Sequence, residues 1–278
     1  MYKNQKRRIV MSKKDDVIPA ILPEVIEIPD KPFRIMSFPD GFRFYAHTAV
    51  EEAALIHREL IQEMCYLQHG VKVSPGNTIF DVGGNMGLFS VALSMRFTNL
   101  TIHAFEPIPA SCEVFRANMD LFQLKGVNLH EFGLGDGTEE ESEINFYPNL
   151  TGNSTRHPET KALVRKFAEE NYPPEMVENF FSFEKVKIKL RRLSDVLKDL
   201  GEPPIDLLKI DVEGDELPVL MGINPEHWTL IHQLVLEVHN AADNLENILS
   251  YINKADSGLI LTAGEIDSLD TALIWGHH

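Results

Sequence analysis

From Asn77 onward, short apolar runs alternate with longer stretches whose apolar positions recur at three- and four-residue spacing. That alternation is the signature of parallel strands joined by crossover helices that cover both faces of one sheet. It predicts strands near 78–82, 100–105, 127–132, 205–211 and 230–238. Helices are predicted over 87–97, 108–122, 214–222 and 242–253, with a shorter one near 194–200. Two further runs, 258–262 and 271–275, read as a closing pair of strands. Upstream, Leu55, Ile56, Leu60, Met64 and Leu67 fall at helical spacing within 50–68. Before that helix, Phe38-Pro39-Asp40-Gly41-Phe42 is a turn signal running into a short strand over 43–46, which predicts a hairpin.

The rhythm breaks over 140–192, where a strand at 142–147, a polar turn, a helix-forming stretch at 158–180 and a strand at 185–191 interrupt the αβ alternation. Insertions of this length in compact α/β domains commonly serve as lids or substrate-binding elements. The first 32 residues lack stable periodicity and end in Ile28-Pro29-Asp30-Lys31-Pro32, a linker signal. The expected organisation is a flexible N-terminal segment over 1–32, a hairpin and helical lead-in over 33–76, and a ligand-binding α/β domain over 77–278 that carries the insertion.

Composition narrows the class. A chain of 278 residues with 44% hydrophobic content can bury a sizeable core, as a globular enzyme does. No apolar stretch approaches the roughly 18 to 20 residues of a membrane-spanning helix. Ile9-Val10-Met11 is too short for a secretory core, so a cytoplasmic location with no membrane partner is expected. A net charge of −16 repels nucleic-acid backbones and argues against DNA or RNA as a partner. The basic strip Lys3, Lys6, Arg7, Arg8, Lys13 and Lys14 reads as a solvated terminus. Cys65 and Cys112 lie far apart without a CxxC pair, which predicts two reduced thiols rather than a zinc knuckle or a disulfide framework.

The chemistry begins at the end of the first predicted strand. Gly83, Gly84 and Gly87 follow Thr78–Val82, so the backbone can turn tightly and approach a ligand while the next helix offers its free N–H groups. The spacing is G-G-x-x-G rather than the G-x-G-x-x-G of dinucleotide sites, and Asp81 stands two residues before it. A carboxylate there repels a pyrophosphate but favours a ligand with an ammonium and a sulfonium, which points to S-adenosylmethionine. Glu106 closes the second strand, where an acid can hold the two ribose hydroxyls. Asn85 within the loop and Pro107 after the acid complete that part of the expected site. Gly133 and Leu134, after the third strand, are expected to wall the adenine.

The fourth strand delivers Asp211 and Glu213 to the same carboxyl edge, and the fifth delivers Glu237 and His239. Methyl transfer is an in-line displacement, so the enzyme mainly positions its reactants and activates the nucleophile. An aliphatic hydroxyl must lose its proton, and histidine is the side chain best matched to take it near neutral pH. His239 is therefore the expected general base, oriented by Glu237 or Asp211, with Asp211 also facing the methionine end of the cofactor. Asp211, Glu237 and His239 have the donor chemistry of a hard-metal set, but geometry decides that and no metal is expected.

The stretches Phe80-Asp-Val-Gly-Gly-Asn-Met-Gly-Leu-Phe89, Ala104-Phe-Glu-Pro107, Leu207-Leu-Lys-Ile-Asp-Val-Glu-Gly214 and Leu236-Glu-Val-His239 resemble the FkbM-type methyltransferases. Phe38-Pro-Asp-Gly41, Asn145-Phe-Tyr-Pro-Asn149 and Leu190-Arg-Arg-Leu-Ser-Asp195 resemble in particular the O-methyltransferases of polyketide and peptide assembly lines. The resemblance implies a class I, Rossmann-like fold: a seven-stranded sheet with its last strand antiparallel. It also implies methylation of a hydroxyl on a natural-product acceptor, free or tethered to a carrier protein. Tyr147, Asn149, Asn153, Ser154 and Glu213 are then expected to line the acceptor pocket. Lys161, Arg165, Lys166, Lys185, Lys187, Lys189, Arg191 and Arg192 could form a basic docking patch for an acidic carrier. The competing readings are a sugar O- or N-methyltransferase of the same fold, and a cofactor-binding scaffold without catalysis.

Overall fold

The computed structural model describes residues 21–256 and 258–278. The basic strip from Lys3 to Lys14 lies outside the described residues. Within the segment expected to be flexible, Glu24–Ile26 forms a strand, β1, which pairs antiparallel with β2 (Arg34–Ser37). The expected hairpin joins β2 to β3 (Arg43–Ala46), closing a small three-stranded sheet. Its apolar face, with Met36 and Phe44, packs against Met86, Leu88, Ala92 and Val114 of the main domain. Asn118 fixes the hairpin in place: its side chain accepts from Tyr45 N (2.8 Å) and donates to Tyr45 O (3.0 Å) and Met86 O (2.9 Å).

The lead-in helix expected over 50–68 starts as α1 (Val50–Ile56) and continues as a π-helical segment, His57–Glu63. It stops at Met64, whose left-handed backbone (φ 51°) turns the chain away, so Leu67 lies outside the helix. Glu59 O accepts from both Met64 N and Cys65 N, the wide closure typical of a π-turn.

The central sheet runs through β4 (Thr78–Val82), β5 (Thr101–Phe105), β6 (Val127–His130), β10 (Leu207–Ile210), β11 (Gln233–His239), β12 (Ile260–Ala263) and β13 (Thr271–His277). Its spatial order is β12-β13-β11-β10-β4-β5-β6, and only β13 is reversed. The chain lays strands outward from β4 to β6, then returns to the other side of β4 with β10 and β11. The strand order reverses between β4 and β10, and such a switch point is where open α/β sheets bind ligands. Alternation divides the sheet between two cores. Phe80, Leu208, Ile210, Leu234 and Leu236 pack with α6 (Leu193–Asp199), α7 (Glu216–Met221) and α8 (Ala241–Ala255). Ile79, Leu207 and Val235 face Tyr66 and α2 (Leu88–Arg96) on the other side. The helix α3 (Pro109–Leu121) follows β5.

The insertion builds its own three-stranded sheet from β7 (Gly133–Leu134), β8 (Glu141–Phe146) and β9 (Glu184–Arg191). The single helical stretch expected over 158–180 is broken into a 3-10 turn (Pro158–Lys161), α4 (Ala162–Asn171) and α5 (Pro174–Phe180). Consecutive prolines are the reason. Tyr172 is extended, Pro173 cannot donate an intrahelical bond, and Pro174 sits where a new helix tolerates it.

Asn118→Ala leaves Tyr45 N and Met86 O without these partners in a buried setting. The expected result is a loss of about 2–3 kcal/mol of unfolding free energy, read by urea denaturation.

Candidate active site

Four polar side chains, Asp81, Lys209, Glu237 and His239, share the α2-facing side of the sheet at its carboxyl edge, because positions 79 and 81, 207 and 209, and 235, 237 and 239 alternate to that face. The first pair is a cross-strand partner set. Lys209 on β10 lies in register with Asp81 on β4, and its Nζ is 3.2 Å from Asp81 Oδ1. It also donates to Gly83 O (2.8 Å), approaches Asp211 Oδ2 (3.4 Å) and lies over the rings of Tyr66 and Phe89. Burial disfavours the ammonium, but Asp81 and then Asp211 outweigh it and hold the lysine firmly charged. Asp81 is wholly buried, accepts from Ser90 Oγ (3.1 Å), and lines neither of the cavities described below. The expectation that Asp81 faces a ligand is therefore corrected: its charge is met inside the protein by Lys209.

The glycine loop follows. Gly83 has φ +80°, and a Cβ there would sit 1.7 Å from Asp211 O. The Cβ atoms of alanines at 84 and 87 would meet the Phe115 ring at 2.9 and 2.8 Å. These glycines permit close contact with β10 and α3. Glu106 is buried, with Oε2 accepting from Asn85 N and Oε1 from Ile108 N, both at 2.8 Å. Burial pushes its carboxyl up to about 7 against the pull of these two amides.

Two cavities meet at this edge. The smaller, about 80 Å³, is lined by Glu106, Pro107, Gly133, Leu134 and Ser154 among others. The larger, about 280 Å³, lies between the lead-in and the insertion. Its apolar wall includes Leu55, Leu60, Val164, Phe167 and Leu269, and its polar wall includes Glu59, Tyr66, Asn153, Lys161, Lys209, Glu237 and His239. Gly83, Asn85, Gly152, Asp211 and Glu213 line both. These five residues form the boundary that the two cavities share. Gly84 borders the larger cavity, whereas Gly87 borders neither and precedes α2.

At the far end of β11, the His239 ring is held at both nitrogens. Nδ1 is 3.0 Å from Glu216 Oε1, and Nε2 is 3.0 Å from Glu213 Oε2. Glu237 is more distant, with Oε1 4.0 Å from Nε2, while its Oε2 accepts the Tyr66 hydroxyl at 2.7 Å. The Tyr66 hydroxyl also lies 3.1 Å from Asp211 Oδ2. The carboxylates nearest the His239 ring are thus Glu213 and Glu216, in place of the expected Glu237 or Asp211. Burial works against a charged imidazole, but Glu213 and Glu216 outweigh it and raise His239 well above the ordinary histidine range. Burial likewise resists ionisation of Glu213, yet His239 and Lys161 pull it well below the carboxylate range. Glu237 is pushed upward, first by burial and then by Asp211. One His nitrogen and one oxygen each from Asp211 and Glu237 lie within 4.8 Å of one another. The ammonium of Lys209 already stands beside Asp211.

Of the residues expected to line an acceptor pocket, Asn153, Ser154 and Glu213 border a cavity and Tyr147 and Asn149 do not. The Tyr147 ring packs with Phe181 and Phe183 in the core of the insertion. Asn149 bonds to Asn179, and its carbonyl accepts from Ala49 N (3.0 Å) and Thr48 Oγ1 (3.1 Å). Sequence reasoning also passed over Glu52, which is buried and accepts from Thr151 N (2.7 Å) and Gly152 N (3.0 Å). It clips α1 to the insertion. The basic patch is largely cancelled. Lys185 pairs with Glu143 (2.8 Å), Lys187 and Lys189 stand opposite Glu143 and Glu141 across β8, Arg165 pairs with Glu169, and Arg191 with Asp199.

A seven-stranded sheet in this order, with one reversed strand and a glycine loop at the switch point, defines a class I methyltransferase. The chain belongs to the FkbM methyltransferase family: residues 81–258 match the Methyltransferase FkbM domain. It is 38% identical over 206 residues to Methyltransferase 1 of Beauveria bassiana (strain ARSEF 2860), covering 72% of this chain and 79% of that one. It is 34% identical over 216 residues to 31-O-demethyl-FK506 methyltransferase FkbM of Streptomyces tacrolimicus, covering 74% and 82%. The crystal structure of Methyltransferase FkbM from Methylobacillus flagellatus KT aligns over 74% of this chain and 45% of that one, at 15% identity and a TM-score of 0.49. The protein is a methyltransferase. No helix among the described residues is long and apolar enough to cross a membrane.

Lys209→Met strands the Asp81 charge in the core and should cost about 3–5 kcal/mol of stability. Adding Asp81→Asn should recover most of that loss in the same denaturation assay, whereas an additive double variant would mean that the two side chains do not act as a pair.

Proposed function

We propose that the protein uses S-adenosylmethionine to methylate a hydroxyl of a natural-product acceptor, with His239 as the general base. The observation that carries this reading is that His239, paired with Glu216, lines the larger cavity on the same edge as the glycine loop. Glu106 lines the smaller cavity and has acceptor capacity beyond its two amide bonds, which suits ribose hydroxyls, and Gly133, Leu134 and Pro107 supply apolar lining for adenine. Asp211, with Glu237 and Tyr66 behind it, supplies negative charge where the two cavities join, next to an ammonium or sulfonium. Bound there, S-adenosylmethionine would present an electrophilic methyl group whose leaving group is a neutral thioether.

The chain's own residues then serve one proton transfer. Glu216 holds a proton on Nδ1, and Nε2, which faces Glu213, takes the acceptor's hydroxyl proton once the ring is neutral and the acceptor replaces Glu213 at that nitrogen. The hydroxyl oxygen, freed of that proton, takes the methyl group. Gly152, Asn153 and the apolar side chains of α4 close the cavity from the insertion side and limit water. The size and apolar lining of the larger cavity fit a compact, mostly apolar acceptor. The relative from Streptomyces tacrolimicus, named for an O-demethylated natural product, supports a hydroxyl of that class. The cancelled basic patch gives no support to a carrier docking there.

Calorimetry should detect S-adenosylmethionine binding that Glu106→Ala weakens and His239→Ala leaves in place; no binding to the wild type overturns the cofactor assignment. With a hydroxylated acceptor, His239→Ala should lower turnover roughly 10²-fold or more. Because Glu213 and Glu216 raise His239, its neutral form grows only as pH rises above the ordinary 6.5. The rate should therefore climb with pH through a midpoint above that value and fall on the acid side. A rate that is flat across this limb removes His239 from the role.

A further inference from the structure

The insertion reaches the catalytic edge through one ammonium. Lys161, the last residue of the 3-10 turn before α4, is buried, and its Nζ pairs with Glu213 Oε2. That same oxygen faces His239 Nε2 at 3.0 Å, and Glu216 from α7 faces Nδ1. Glu237 of β11 stands 4.0 Å from Nε2, while Asp211 and Tyr66 are joined to it, and Lys209 to Asp211, on the far side. Among the described residues, the charged groups within 4.0 Å of the ring nitrogens are thus all carboxylates. Such surroundings favour the imidazolium, which has no lone pair for a proton. The cation nearest along this network is Lys161, and it acts on the one carboxylate that occupies the working nitrogen.

We propose that Lys161 is a positioning residue for proton transfer: by holding Glu213 Oε2 from the insertion, it limits that carboxylate's hold on His239 Nε2 and keeps the nitrogen available to the acceptor. The inference rests on His239 acting as the base. It gives the insertion a second task besides walling the cavity. The element that encloses the acceptor also sets how readily the base can be used. Glu213 is well placed to transmit this, because its backbone is pinned by Thr155 Oγ1, which donates to Glu213 O at 2.6 Å. The insertion therefore grips Glu213 at both the main chain and the side chain.

The test reads His239 directly and needs no acceptor. In the full chain with isotope-labelled histidine, NMR titration follows the imidazole, assigned by its disappearance in His239→Gln. Removing an opposite charge at this range shifts a titration by about one unit or more. Lys161→Met should therefore raise the His239 midpoint by about that amount, Lys161→Arg should restore it, and Glu213→Gln should lower it. In the Glu213→Gln background, Lys161→Met should have a much smaller effect, since the carboxylate that it acts through is gone. Lys161→Gln gives the same reading if the methionine variant does not fold. A midpoint unmoved by loss of the lysine charge, or moved equally in both backgrounds, overturns the proposal. Undiminished methylation by His239→Ala would instead sink the base assignment while leaving the titration coupling intact, so the two failures are told apart.

Discussion

An ammonium buried between two parallel strands holds this site together. Lys209 cannot sit in the sheet uncompensated, because an unpaired charge in that setting costs several kcal/mol. It meets Asp81 on the neighbouring strand, caps the carbonyl of Gly83 and reaches Asp211. The ends of β4 and β10 are thereby tied together at the point where the strand order reverses. Tyr66 lies under the same ammonium and extends the tie to Glu237. The glycine loop, the turn after β10 and the end of β11 are parts of one polar network laid over an apolar sheet.

The sheet was legible in the sequence because strand and helix periods are local properties. The glycine loop, Glu106 and the reversed closing strand all fall where the pattern and the family resemblance put them. For Asp81, nearness to the loop along the chain is not nearness to a cavity. Its partner lies on a strand much later in the sequence, and only parallel pairing brings the two together. The signal was nonetheless present: Lys209 is a charge inside the otherwise apolar run Leu207–Ile210, and such a residue requires a partner. Glu216 carried no comparable mark, since an acid in the first turn of a helix is ordinary. Its role depends on α7 packing against β11. Tyr147 and Asn149 look like pocket residues in a polar turn, yet α4 and α5 need a core of their own and that turn supplies it.

The insertion shows a similar economy on its outer face. The lysines of β9 alternate with Val186, Ile188 and Leu190, so one side packs and the other is charged. Glutamates of β8 stand opposite those lysines, and the resulting ladder is close to neutral in a chain whose net charge is −16. Exposed pairs of this kind add little stability. They do leave the strand pair soluble without making it a magnet for anions.

The Glu52 clip has a practical meaning for anyone dissecting the protein. Because α1 is fastened to Thr151 and Gly152, and because Glu59, Leu60 and Tyr66 form one side of the larger cavity, that cavity is built from chain that begins before the parallel sheet does. A fragment cut at β4 would keep the parallel-sheet skeleton and lose the side of the larger cavity that α1, Leu60 and Tyr66 supply. Grafting this catalyst into a multidomain fusion therefore requires carrying the lead-in along with it.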